Sequence, residues 1–169
     1  MSAPATAAVA SGPTRQYVTI RLGGQLFGLP IDRAQDVFIP DNFSPVPLAR
    51  SEISGVLNLR GRILTAIDLS RVLDVPAVNQ NNAERPVVCV VGANESYGFL
   101  TDSVGEVIAL DAEAIEPNPV NMDPGWARVS AGTCRLETEL LVILDVDALI
   151  EGLVLNDTTE TRREMEQSR

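Results

Sequence analysis

Gly55–Leu73, GVLNLRGRILTAIDLSRVL, is the stretch whose reading decides the fold. It divides into two short strands joined at Arg60-Gly61, where Gly61 can take a positive φ at little steric cost, as a tight hairpin turn requires. On the first arm Leu57 and Leu59 face one way and Val56 and Asn58 the other. The second arm, Ile63 to Ile67, is more continuously apolar, which predicts a strand covered on both faces. Asp68 then stands where a helix N-cap belongs, before a short helix over Leu69 to Leu73. Arg60 and Arg62 flank the turn glycine, and a turn tip is exposed and open to a partner.

Outward from this hairpin the same vocabulary recurs. Upstream, Tyr17–Leu22 alternates as a strand, Gly23-Gly24 turns it, and Gln25–Pro30 returns. One helical turn is predicted over Ile31–Gln35, a strand over Asp36–Ile39, and a proline-marked loop over 40–53. Downstream, Pro76–Ala83 is a polar connector. A second series follows: strands at Val87–Val91, Ser96–Leu100 and Val104–Leu110, a long acidic loop over 111–125, then a hairpin of Val129–Leu136 and Leu140–Leu144. Asp145 caps a last short helix, Val146–Ile150.

The two series are a repeat. Phe27-Gly28-Leu29 lines up with Tyr97-Gly98-Phe99, and Asp36-Val37 with Glu106-Val107, at one common offset. Gly55 lines up with Gly132, Leu59 with Leu136 and Asp68-Leu69 with Asp145-Val146, at an offset lengthened by the acidic loop. About five strands per copy with glycine-marked corners predict an all-β chain of two small, strongly bent antiparallel barrels. The expected organisation is an N-terminal arm over 1–14, a domain over 15–152 with one lobe at 15–75 and the other at 86–152, and a C-terminal tail over 153–169.

Composition narrows the function. Thirteen basic against 23 acidic residues leave a net charge of −10, which argues against nucleic acid and against an anionic membrane surface. There is no histidine, which removes His-based triads, general bases and metal ligands. Cys89 and Cys134, each in an apolar run, are read as buried reduced thiols. Residues 1–14 lack the basic start and long apolar centre of a signal peptide, and no run of about 18 apolar residues exists. A soluble cytoplasmic protein is expected. Asp68 and Asp145 could be imagined as a catalytic carboxylate pair, but their equivalent places before short helices assign them to capping.

The copies differ in charge. Arg60-Gly61-Arg62 at one hairpin tip is replaced by Glu137-Thr138-Glu139 at the other, and from Val87 to Ala127 every charged residue is acidic. Two different protein-facing surfaces are expected. Gly28, Gly55, Gly98 and Gly132 are assigned to backbone geometry at barrel corners. Phe38 and Phe43 are assigned to lobe packing. Trp126 is left between two roles, an exposed partner anchor or a side chain packed on the second barrel.

Phe27-Gly28-Leu29-Pro30 with Asp36-Val37, the run Gly55 to Gly61 followed by Ile67-Asp68-Leu69, Asp102 to Val107, and Leu140 to Asp145 together resemble the CheW family, the coupling adaptors of bacterial chemotaxis. The resemblance covers about residues 15 to 152 in order and spacing. It implies two intertwined five-stranded SH3-like β-barrels with short helices, no catalysis and no cofactor. It implies as partners the regulatory domain of the histidine kinase CheA and the cytoplasmic tips of methyl-accepting chemotaxis receptors, with further copies of the adaptor in rings at the inner face of the membrane. Carried over by motif, Asp36, Val37, Gly55, Asn58, Arg60 and Arg62 belong to the receptor and kinase interface, with Asp36 the acidic position able to pair with Arg60. Trp126, Glu137 and Glu139 are candidates for a second interface. Thr65 departs from the proline of many members, and the segment 111–130 is long and includes Trp126. Two rival readings are an adaptor of a type IV pilus or other chemosensory pathway, and a small-ligand-binding or hydrolytic β-barrel with a deep polar pocket.

Overall fold

Strands in this chain alternate between two apolar interiors, so several have no face left for water. In β1 (Thr14–Leu22), Val18, Ile20 and Leu22 enter a central core while Tyr17 enters a second one. β2 (Gln25–Pro30) does the same with Phe27 and Leu29 on one side and Leu26 on the other. The structure, a computed structural model, describes residues 13–40, 43–46, 51–78, 81–92 and 95–153. The predicted 1–14 arm therefore lies outside the described residues up to residue 12, and Thr14 already belongs to β1. The predicted tail is likewise outside them beyond residue 153.

The remaining strands are β3 (Ala34–Phe38), β4 (Phe43–Ser44), β5 (Ile53–Leu59), β6 (Arg62–Asp68), β7 (Val87–Val91), β8 (Ser96–Leu100), β9 (Ser103–Asp111), β10 (Ser130–Arg135) and β11 (Leu140–Leu144). Helix α1 (Leu69–Val72) follows β6, α2 (Pro124–Ala127) precedes β10, and α3, described over 146–153, follows β11. One sheet runs β10-β11-β2-β1-β9, the other β3-β7-β8-β6-β5-β4. The second therefore has six strands, because the expected 40–53 loop contains β4, which pairs with β5 at Phe43↔Leu57 and Ser44↔Val56. The helical turn predicted over Ile31–Gln35 is a tight turn over 31–33, and β3 begins at Ala34.

The lobes are not the sequence halves, which corrects the assignment of 15–75 to one and 86–152 to the other. The first lobe takes β1 and β2 from the first copy and β9, β10 and β11 from the second; the other lobe takes the reverse. Parallel pairing makes the exchange: β11 lies on β2 with Val142↔Phe27, and β6 lies on β8 with Thr65↔Tyr97. These pairs are equivalent under the sequence repeat. So are the irregular antiparallel pairs, Val18↔Val107 and Ile20↔Val104 in one lobe, Val88↔Val37 and Val90↔Ala34 in the other. In each lobe the chain beyond the edge strand returns to the opposite end of the sheet, through β4 on β5 and through the Glu116↔Thr133 bridge on β10. That curls each sheet toward a barrel.

Three cores result. One barrel encloses Tyr17, Leu26, Leu110, Cys134, Leu141 and Ile143; the other encloses Leu57, Leu64, Ala66, Val87, Cys89 and Leu100. Between them lies the largest cluster, which includes Ile20, Phe27, Ile67, Phe99 and Leu144 together with Leu69 of α1 and Leu149 of α3. Both cysteines are free and buried, and burial pushes both thiols up. Ile63 departs from the expected doubly covered strand. It is 68% exposed because β6 meets β8 only from Thr65 onward.

Gly55 and Gly132 both sit at β-bulges with positive φ, 157° and 149°. A Cβ on Gly55 would overlap the Ser44 carbonyl oxygen and lie 2.9 Å from Pro45 Cα; one on Gly132 would lie 2.9 Å from the Glu116 carbonyl oxygen. Each glycine thus admits the returning segment that curls its own barrel, β4 at Gly55 and the Glu116 bridge at Gly132.

Asp68 caps α1 through Ser70 N–H at 3.0 Å, as the sequence predicts. It also holds a buried cation that the sequence reading passed over. Arg85 is 1% exposed; its Nη1 donates to Asp68 Oδ2 at 2.9 Å, its Nε to the Thr101 carbonyl at 3.3 Å, and its Nη2 lies 3.8 Å from Asp102 Oδ1. Burial alone raises the Asp68 carboxyl, but hydrogen bonds from Arg85 and Ser70 and the Arg85 charge outweigh it and hold the group below its ordinary range.

Three outcomes are expected. Gly55→Ala and Gly132→Ala each lower stability by about 1–3 kcal/mol in urea unfolding, whereas Gly152→Ala, with open space at its Cβ, does not; equal midpoints for all three would contradict the close approach. Arg85→Met takes the buried guanidinium away from Asp68 and Asp102 and leaves them with backbone N–H groups, Ser70 and the exposed Arg71; a cost of about 3 kcal/mol is expected, and a neutral substitution would show that the network adds nothing. Because the folded pKa of Asp68 is depressed, its contribution is full at neutral pH and lost as pH falls below the unfolded value of about 4. The stability gap between wild type and Asp68→Asn therefore shrinks in acid, and a gap independent of pH would refute the linkage.

Candidate interaction site

The β5–β6 turn is built by two residues in the left-handed region, Arg60 at φ 53° and Gly61 at φ 85°. Positive φ at both central residues gives the backbone twist that matches a two-residue hairpin. Asn58 braces it from below, its Oδ1 accepting from Gly61 N–H at 3.0 Å. Leu59 and Arg62 pair directly across the turn. A stiff tip thus carries Arg60 into solvent, with its side chain 81% exposed.

Arg60 reaches across the barrel. Its Nη2 lies 3.3 Å from Asp36 Oδ2 on β3, a strand at the far end of the same sheet's order. The pair that motif placement anticipated is therefore present, and it links the tip to the sheet edge. The other Asp36 oxygen accepts from Val37 N–H at 2.9 Å, which orients the carboxylate. At such exposure the pair is worth little in stability. What it does is place one cation and one anion at a known spacing on a rigid surface. Apolar groups adjoin it in the chain: Val37 is 45% exposed, Ile39 58%, and Ile63 follows Arg62. Arg62 turns to the neighbouring strand, donating from Nη2 to Ser96 Oγ at 2.9 Å.

Other expected site residues go elsewhere. Gly55 is itself buried under Ser44, and its role in the structure is to let that strand approach. Asn58 is exposed, but its carbonyl oxygen serves the turn. Phe38 and Phe43 pack on the barrel interior, as expected.

The second set does not form one surface either. Trp126 packs inward: its Nε1 donates to the Leu73 carbonyl at 2.7 Å, and its ring meets Phe27 edge-on with centroids 5.4 Å apart. That decides between its two roles in favour of packing, although against the central core and not inside either barrel. Glu139 is held by Arg21 in a two-pronged pair, at 2.9 and 2.7 Å, and the guanidinium keeps its carboxyl below the ordinary range. Glu137 is exposed at the tip of the second hairpin.

Arg85 and Arg33 are the structural cations the sequence reading missed. Arg33 donates twice to the Val91 carbonyl and twice to Asp147. A signal for Arg85 was present: it is the one basic residue between Arg71 and Arg128, beside a proline and just ahead of a strand. Among the described residues no group of three or more His, Cys, Asp or Glu side chains could hold a metal, and no helix is long and apolar enough to cross a membrane.

Comparison with known proteins agrees with this architecture. Residues 16–154 match the family model of the CheW-like domain. The chain is similar to the chemotaxis protein CheW of Thermotoga maritima, at 23% identity over 84% of this chain and 91% of that one. It is also similar to part of the chemotaxis protein CheA of Salmonella typhimurium, at 29% identity over 89% of this chain but 21% of that one. Among solved structures it resembles the scaffolding protein TtCheW of Thermoanaerobacter tengcongensis, with a TM-score of 0.71, 24% identity, and coverage of 81% of this chain and 92% of that one. With two SH3-like barrels exchanged as described and the family's domain matched over nearly all of the described residues, the chain belongs to the CheW-like domain family.

Proposed function

We propose that the chain is a non-enzymatic adaptor that couples the cytoplasmic tips of chemoreceptors to the regulatory domain of the histidine kinase CheA. The observation that carries the reading is the Arg60–Asp36 pair, held 3.3 Å apart on a stiff tip and a sheet edge within a CheW-like fold. An arginine fork can satisfy an internal carboxylate and still present donors to a partner's. The exposed Val37 and Ile39 supply apolar contact beside it. Arg62 extends the basic tip.

The similarity to part of CheA bears on the second partner. Two proteins sharing one domain plan can pack through related surfaces, and in this chain the surfaces of the two copies carry opposite tips. Arg60 stands at one and Glu137 at the other. Such polarity favours head-to-tail association, with the kinase domain or with another copy, and closed rings where the rotation allows. The adaptor then works by geometry. It holds receptor tips and kinase domains in register at the inner face of the membrane, and a receptor shift alters kinase activity through contacts that differ between kinase states.

Reversing the tip charge tests the receptor surface. Arg60→Glu weakens binding of a purified receptor cytoplasmic fragment by about tenfold or more, which corresponds to about 1.4 kcal/mol, while its unfolding midpoint stays near wild type. Wild-type ternary assembly by this variant would reject the assignment. The kinase surface is tested by crosslinking in assembled arrays: contacts to the CheA regulatory domain are expected on both lobes, at separate patches, and crosslinks confined to one lobe count against it.

A further inference from the structure

The chain passes between lobes at two equivalent corners. At 31–33 it leaves β2 of the first lobe for β3 of the second; at 101–102 it leaves β8 of the second for β9 of the first. The repeat relates the corners down to their backbone bonds: Ile31 N–H donates to the Gln16 carbonyl and Thr101 N–H to the Pro86 carbonyl, both at 3.0 Å. Two short helices pack into the inter-lobe core, α1 with Leu69 and α3 with Leu149.

The side chains that lock the corners are not equivalent. At 101–102 the lock is buried. Asp102, its side chain 7% exposed, accepts from Gly23 N–H of the β1–β2 turn at 2.8 Å and from Val78 N–H at 3.2 Å, and Arg85 ties it to Asp68 at the α1 cap. At 31–33 the lock is open to solvent on its carboxylate side only: the Arg33 side chain is 25% exposed. Arg33 joins the Val91 carbonyl, at the end of β7 in the second lobe, to Asp147 of α3, whose side chain is 60% exposed. Arg15 and Asp32, the repeat counterparts of Arg85 and Asp102, are exposed, so the buried lock exists at one corner only. A buried ion pair is screened little by salt; an exposed one is screened strongly.

We propose that these corners act as an unequal pair: the Arg85–Asp68–Asp102 network is a fixed pivot, and the Arg33–Asp147 clasp is a salt-sensitive latch whose release lets one lobe rotate on the other. Release frees α3 from Arg33 and leaves the 31–33 turn to flex, a hinge made of a few residues at element ends. The pivot holds because opening it would strand buried charge. The motion belongs to the isolated molecule and requires no partner.

Amide hydrogen exchange on the full chain reads both corners. The Val91 amide, which donates to the Arg33 carbonyl, and the Ala34 amide, which donates to that of Ile31, report the latch; the Thr101 and Asp102 amides report the pivot. Raising salt from about 0.02 to about 1 M should speed latch exchange about two- to fivefold and leave the pivot unchanged. Asp147→Asn should speed latch exchange at low salt and reduce the salt response, the remainder coming from Asp32 and Asp145, whose charges also act on Arg33. Spin labels on Val120→Cys, an exposed site on the loop anchored to β10, and Ile63→Cys on β6 should then show a broadened inter-lobe distance distribution in Asp147→Asn. Latch and pivot amides shifting together, or a salt response undiminished in Asp147→Asn, overturns the unequal pair. Faster latch amides with an unchanged distance distribution mean local fraying, and overturn the rotation.

Discussion

Two parallel strand pairings, β2 with β11 and β6 with β8, are what the rest of the molecule depends on. Each joins a strand of one sequence copy to a strand of the other, so neither barrel can be completed by a single copy. The pairings also place Phe27, Ile67, Phe99 and Val142 in one cluster between the barrels. That cluster is the largest of the three, and it exists only when both exchanges have been made. Each lobe therefore needs strands from both copies. A chain built this way has no separable half, and one shared core joins its two lobes.

Such construction suits the proposed role of holding partners in register. The Arg60 tip is stiff because two left-handed residues and the Asn58 brace fix the turn, and its direction is referred to β3 through Asp36. The second tip is referred to β1 through Glu139 and Arg21. Each tip thus has a charged residue tied back to its barrel by an ion pair, and at the first Arg62 is also held, by Ser96. At the second the tied group is a carboxylate, and Glu137 beside it stays exposed. The same backbone plan presents a basic end and an acidic end, and that difference carries the polarity of the molecule.

Much of this was legible in the sequence because the repeat is written in residues with strict backbone roles. Gly55 and Gly132, Asp68 and Asp145, and the hairpin arms all fall at equivalent places, and the ladders follow the same offsets. The exchange was not legible at the level of periodicity. A strand buried on both faces reads the same whether its neighbour comes from its own copy or from the other. Only the resemblance to known adaptors implied intertwining, and the halves were still assigned as lobes. Ile63 misled because an apolar run does not reveal where its partner strand ends. For Gly55 the Ser44 carbonyl beneath it accounts for the barrel role that the repeat predicts. Arg85 was passed over because a lone arginine in a polar connector looks solvated, and its burial depends on Asp68 and Asp102 converging from distant positions.

The most direct test of the adaptor reading is receptor control of kinase activity in a reconstituted system. Purified CheA and a receptor cytoplasmic fragment from the same organism are templated on vesicles, with and without this chain, and phosphorylation of the kinase is followed. Kinase activity that rises and comes under receptor control only when the chain is added is the predicted result. Receptor-controlled kinase activity that is identical with and without the chain would contradict it.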